Sequence, residues 1–217
     1  MSQLINLREL ELKAWKSVFQ DGLWDIYLGL LLLAMAVQAL LSDVGFPESS
    51  GMAVLIGLEV LAMLVLWAGK KFITVPRIGR VKFGPRRKTR LSWVMVILFI
   101  SVLVGAGAFL VASALRSNRP EWLNAALFLP AAWVVNAMVV FSLGAYFLDF
   151  SRLYLVGVMY ALAVPLDILF RKFADVDLSF VAFGAPAAVI LIVGLVVFTR
   201  FLRDYPIPAE AASDGND

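Results

Sequence analysis

Residues 70–90 read KKFITVPRIGRVKFGPRRKTR and residues 91–115 read LSWVMVILFISVLVGAGAFLVASAL. The first stretch carries nine basic side chains; the second carries no charge at all. A membrane-crossing helix needs about 20 predominantly apolar residues, within a range of about 17–25. Residues 91–115 meet that requirement, and the basic block before them marks the side on which the helix starts. The same reading repeated along the chain gives six spans: 22–41, 51–68, 91–115, 123–148, 153–170 and 179–202. The expected fold is all-α, a polytopic membrane bundle of six transmembrane helices forming one domain over residues 1–205. A disordered acidic tail is expected over 206–217.

Composition agrees. The 217 residues are 62% hydrophobic and 16% charged, against about 45–50% and about 25% in soluble domains. A water-soluble fold of this size has no room to hide so much apolar surface, whereas a bilayer is itself an apolar solvent. Basic residues set the orientation. With the N-terminus inside, fifteen of the nineteen Lys and Arg fall on the inner side. Only Arg116, Arg119, Arg171 and Lys172 fall outside. The expectation is an inner (plasma) membrane protein with both termini in the cytoplasm.

There is no Cys and no His. This removes disulfides, thiolate nucleophiles, ordinary zinc and haem sites and a Ser-His-Asp triad. Carboxylate-only Mg²⁺ or Ca²⁺ sites stay open, but no cofactor and no metal is expected, and no catalytic residue is assigned. Nucleic-acid binding is not expected, since only Phe72 and Phe83 among the basic residues could stack.

Residues 2–20 place Leu4, Leu7, Leu10, Trp15, Val18 and Phe19 on one arc and Glu9, Lys13 and Lys16 opposite. That is the pattern of an amphipathic helix lying in the membrane interface, or packed on the protein's own cytoplasmic face. Trp15, Trp24, Trp67, Trp93 and Trp122 fall near span ends, as an aromatic belt does. The odd spans open alike, and spans four and six share a Pro-Ala-Ala step at Pro130 and Pro186. Three helical hairpins about a pseudo-threefold axis would give that pattern.

Glu59 falls midway through the second span. A charge at that depth costs about 2.5–3.5 kcal/mol or more, so the carboxyl is expected to face the bundle interior, with Ser101 and Asn136 at similar depth. It reads either as a proton or cation site or as a protonated structural hydrogen-bond donor. The small residues Gly105, Gly107, Ala108 and Ala112 on span three permit close helix approach, as at a packing or dimer face. Asp167 is expected to pair with Arg171 one turn on. Asp21 and Asp25 share one helix face at the inner entry of span one. They read as helix-start charges favoured by the macrodipole, or as a polar site made with the basic loop. In that loop Pro76, Gly79, Gly84 and Pro85 alternate with apolar residues, which predicts an ordered loop or short hairpin on the membrane surface. Lys70, Lys71, Lys82, Arg86, Arg87, Lys88 and Arg90 are its expected lipid-headgroup contacts, each worth about 1 kcal/mol near an anionic leaflet.

The stretches DGLWDIYLG (21–29) and PRIGRVKFGPRRK (76–88) resemble a family of uncharacterised bacterial and archaeal multi-pass membrane proteins. That family carries a DG-x-x-[DE]-[IL] start to its first span and a PR-x-G-x-V-x-F basic loop. The resemblance covers about 22 residues and implies that the two segments belong together, with no activity attached. Asp21 and Asp25 are accordingly expected to pair with Arg77 and Arg80. The expected function is a non-enzymatic scaffold or accessory subunit whose basic face contacts anionic inner-leaflet lipid, a protein partner or a second copy. The alternative is a small transporter, or a transporter's substrate-binding subunit, with Glu59 as its coupling or ligand site.

Overall fold

The computed structural model describes residues 19–78, 85–114, 125–173 and 178–206. The expected N-terminal amphipathic helix lies outside these apart from Phe19 and Gln20, as does the expected acidic tail after residue 206. Among the described residues there is no strand. Six helices are long and apolar enough to cross a membrane: α1 (Leu23–Asp43), α2 (Glu48–Ala68), α3 (Pro85–Ala114), α4 (Ala125–Leu148), α5 (Arg152–Phe173) and α6 (Ser179–Asp204). The chain is a multi-pass, all-α membrane protein.

Helix ends follow local chemistry. After α1 the chain turns at Gly45, whose φ of 78° needs a residue without a Cβ. The turn is held by the Gly45 N–H on the Ser42 carbonyl (3.1 Å) and the Phe46 N–H on Leu41 (2.9 Å). Pro47 then precedes α2, where a missing N–H costs nothing. Between α4 and α5 the tight turn puts Asp149 at φ 54°, and the Phe150 N–H returns to the Ala145 carbonyl at 3.0 Å.

The expected loop over 69–90 is the main departure. The chain leaves α2 as a π-helix over Gly69–Thr74, then makes one further α-turn over Val75–Ile78. It is helical again from Pro85, so the block is largely an extension of two spans. Hydropathy falls at Gly69 because the side chains become charged, but Lys and Arg are good helix formers and the backbone continues.

Each helix packs on its neighbour in sequence within the hairpins α1–α2, α3–α4 and α5–α6. Two further contacts join the hairpins: α1 on α6, the most extensive in the molecule, and α5 on α4. A closed pseudo-threefold ring would also need α3 on α2, and among the described residues no comparable contact exists there. The helices therefore form an open row, α2–α1–α6–α5–α4–α3, with a smaller contact between α1 and α5. Its core is Leu32, Val156, Ala163, Ala187 and Ile190, from α1, α5 and α6. A second cluster, Phe19, Ala145, Phe150 and Leu153, closes one end. By contrast, none of the most apolar stretch of α3 is buried.

The α1–α6 contact is close because both backbones are bare where they cross. A Cβ at Gly22 would sit 2.5 Å from the Gly194 carbonyl oxygen, and one at Gly194 would sit 2.9 Å from the Ile26 nitrogen. A Cβ at Gly29 would meet Leu191 at 2.8 Å. Helices in lipid, without a hydrophobic drive between them, associate through such small-residue contacts.

Candidate functional site

Asp21 and Asp25 sit at the start of α1, 0% and 1% exposed. Gly22 between them has φ 75°, a left-handed turn that lets the Asp21 side chain fold back toward the helix it precedes. Asp21 Oδ1 accepts the Leu23 N–H at 3.2 Å. Asp21 Oδ2 accepts the Lys70 ammonium at 2.6 Å and the Thr74 hydroxyl at 2.7 Å. Lys70 and Thr74 both lie in the π-helical turn, whose wider winding brings both onto the one carboxylate oxygen. Gly69 lets that turn approach, because a Cβ there would strike the Leu23 side chain at 2.8 Å.

Asp25 is answered from the other side of the bundle. Arg152, the first residue of α5, places Nε 3.0 Å and a terminal nitrogen 2.9 Å from Asp25 Oδ2. The same terminal nitrogen donates to the Phe19 carbonyl at 2.6 Å. The guanidinium also lies 4.9 Å from the Phe150 ring centre, and Phe150 stacks on Phe19 at 5.4 Å. Asp25 Oδ1 is buried with no hydrogen-bond partner, so among the described side chains Arg152 makes the one ion pair to this carboxylate. Charged groups this far from water hold their place only when paired and hydrogen-bonded. The cluster joins α1, the end of α2 and the start of α5, and its two acids and two bases balance.

The pairing expected with Arg77 is replaced by this one. Arg77 Nε donates instead to the Tyr205 carbonyl at 2.9 Å, tying the end of the α2 extension to the end of α6; Arg80 lies outside the described residues. Of the expected headgroup contacts, Lys70 turns inward to Asp21. Lys71 is exposed and lies over the Trp67 ring at 4.7 Å. Arg90 pairs with Asp149 at 2.7 Å, with side chains 47% and 34% exposed. Lys82 lies outside the described residues, and for Arg86, Arg87 and Lys88 only the helical backbone is described. Sequence reading missed Thr74 and Arg152. A lone Arg at the inner mouth of span five was the available signal for the second.

The intramembrane polar set divides. Asn136 donates to the Ser101 hydroxyl at 2.9 Å, bridging α4 and α3. Glu59, expected in the interior, is exposed on α2, and among the described residues no hydrogen bond or ion pair reaches its carboxyl. Tyr160 donates to the Leu28 carbonyl at 2.7 Å and accepts from Trp133 Nε1 at its own carbonyl at 2.7 Å. At the opposite end of the bundle Asp167 takes Arg171 at 3.2 Å, as its spacing predicts, and the Ser179 hydroxyl completes that group.

The described hollows are apolar. One of about 520 Å³ lies among α3, α4 and α5, with Trp133 and Asn136 its only polar-capable walls. A smaller one of about 300 Å³ opens between α3 and α4 over the Ser101–Asn136 pair. Among the described residues no group of three acidic side chains gathers as a cation site would require. No family model, curated protein or solved structure matches this chain.

Proposed function

We propose that the protein is a non-enzymatic membrane scaffold or accessory subunit whose basic end rests on the anionic lipid of the cytoplasmic leaflet. The observation that carries this reading is the division of charge at that end. Asp21, Asp25, Lys70 and Arg152 are consumed in a buried, balanced cluster. Lys71, Arg200 and Arg203 remain exposed at the same end of the bundle, with Arg77 half-buried beside them. The buried cluster fixes the geometry of α1, α2 and α5, and the exposed bases face outward from it. Three such bases in the headgroup layer supply about 3 kcal/mol of attraction to an anionic leaflet, at about 1 kcal/mol each. The apolar character of the described hollows supports a scaffold over a carrier of hydrophilic solutes, and Glu59 on an exposed face gives a coupling role less support.

The test uses the full-length protein in nanodiscs of mixed phosphatidylcholine and phosphatidylglycerol. Spin-labelled lipids report which headgroup is enriched around the protein. Expected is a preference for phosphatidylglycerol that fades in high salt and falls in the Lys71→Glu/Arg200→Glu/Arg203→Glu variant. Equal occupancy by both headgroups would overturn the proposal, as would solute flux through proteoliposomes. Retention of a soluble protein by the same face, without lipid preference, would replace the lipid by a protein partner.

A further inference from the structure

We propose that the hollow among α3, α4 and α5 holds the ring of an isoprenoid quinone, with a ring carbonyl on the Ser101–Asn136 pair, the ring beside Trp133 and the tail along the aliphatic walls. The inference concerns the α5–α4–α3 end of the row and stands without the basic-end reading.

Four observations carry it. The first is room. Gly105, Ala108 and Ala132 are small and line a hollow of about 520 Å³, within the range of about 300–1,000 Å³ for small-molecule sites. The hollow of about 300 Å³ adjoins it, because Val104, Ala132 and Asn136 line both. The second is depth. Arg90 and Asp149 pair across α3 and α4 and mark one level of both helices. Ser101 lies 11 residues beyond Arg90, and Asn136 and Trp133 lie 13 and 16 residues before Asp149. At 1.5 Å per residue these are about 16–24 Å from that pair, in the middle and far half of a hydrocarbon core about 30 Å thick. The third is unspent polarity. Asn136 gives one amide hydrogen to the Ser101 oxygen at 2.9 Å. Its other amide hydrogen, its carbonyl oxygen and the Ser101 hydroxyl hydrogen have no partner among the described residues. Hydrocarbon supplies none, and an unpaired polar group there is costly. The fourth is Trp133, whose indole N–H is spent on the Tyr160 carbonyl at 2.7 Å. That bond fixes the ring and leaves its π-system to a ligand.

These features select the occupant. No charged side chain lines either hollow, so the ligand is neutral. Two free hydrogens against one acceptor oxygen ask for a ligand that accepts, and a carbonyl does. A fixed indole favours a flat ring, by offset stacking or edge contact. Phospholipid chains fit the aliphatic walls but carry no acceptor at this depth, since their ester groups sit in the interface. A quinone ring on an isoprenoid tail supplies acceptor, plane and apolar length together.

The test uses the full-length protein in phosphatidylcholine nanodiscs, photolabelled with an azido derivative of decylubiquinone and read by peptide mass spectrometry. Expected is labelling of the segments around Trp133 and Val164. Decylubiquinone should displace the label, and decylbenzene, which has a ring and a tail but no carbonyl, should not. A Cβ at Gly105 or Gly107 meets nothing within 4 Å, yet of the two only Gly105 lines a described hollow. Gly105→Leu should therefore fill the space and cut labelling about tenfold or more, while Gly107→Leu, equal in bulk on the same helix, leaves it unchanged. Ser101→Ala/Asn136→Leu removes both donors and should raise the half-saturating decylubiquinone concentration about tenfold, the value of two hydrogen bonds of ordinary strength. Thermal melts identify the variants that keep their fold, and either the Gly105 variant or the double variant decides the question by itself. Displacement by decylbenzene as readily as by decylubiquinone would overturn the proposal and leave a groove for acyl chains. So would equal labelling of the Gly105→Leu and Gly107→Leu proteins, or label found only on the other helices.

Discussion

Replacing Arg152 by Met tests the buried cluster most directly. The substitution keeps an unbranched apolar stem and removes the guanidinium and its charge. It leaves Asp25, 1% exposed, with no side-chain partner on either oxygen, and it removes the guanidinium's hydrogen bond to the Phe19 carbonyl. Removing one member of a buried pair costs about 3–5 kcal/mol, because the other charge stays behind uncompensated. For a chain of this length each kcal/mol moves the thermal midpoint by about 2–4 °C, so the apparent Tm should fall by about 6–20 °C. Lys70→Met should cost less, about 1–3 kcal/mol, because Asp21 keeps the Thr74 hydroxyl and the Leu23 N–H. The assay is thermal unfolding in detergent micelles followed by tryptophan fluorescence, with Trp24 beside the cluster. Adding Asp25→Leu to Arg152→Met removes the stranded charge, and apolar replacement of a whole buried pair is often neutral. The double variant should regain most of the loss. If Arg152→Met shifted the midpoint by under about 3 °C, or if Asp25→Leu deepened its defect, the assignment of a compensated buried pair would fail.

Gly22→Ala should be severe, since a Cβ would lie 2.5 Å from a backbone oxygen of α6 and the position also needs φ 75°. Overpacking of about 1–3 kcal/mol adds there to about 1–2 kcal/mol of left-handed strain. Gly45→Ala meets nothing within 4 Å and should cost the strain alone, a contrast that urea unfolding of the two variants will show. Ser101→Ala removes one interhelical bond between α3 and α4 and should cost about 0.6 kcal/mol and no more than about 1.7, read from the same melts. Exchanging Arg90 and Asp149 for each other should change stability by about 1 kcal/mol at most, because the pair is largely in water; a larger loss in the melting curve would mean the pair is buried against lipid.

The spans were legible because their cause is local. Apolar runs such as 91–115 are set by composition, and the helices found over Leu23–Asp43, Ser179–Asp204 and the rest lie within a few residues of the expected limits except at the start of α3. What was not legible depends on direction and distance. Hydropathy gives the depth of Glu59 but not the side of α2 on which it stands. Residues 70–78 looked like loop because charge, not backbone, changes at Gly69. Lys70 was read as a surface base, yet Asp21 lies 49 positions before it and draws it inward. Arg152 lies 127 positions from Asp25, too far for any pattern of spacing to join them.

That separation also orders events during synthesis. When α1 leaves the ribosome neither ion-pair partner of its two acids has been made, and Lys70 follows Asp21 by 49 residues. Arg152 arrives only after 127 more residues than Asp25, about 6–25 s at ordinary elongation rates of about 5–20 residues per second. Until then Asp25 must wait in the headgroup layer, and α1 cannot settle to its final depth. A nascent chain stopped before residue 152 should hold its first helix shallow, and one stopped a turn later should let it sink.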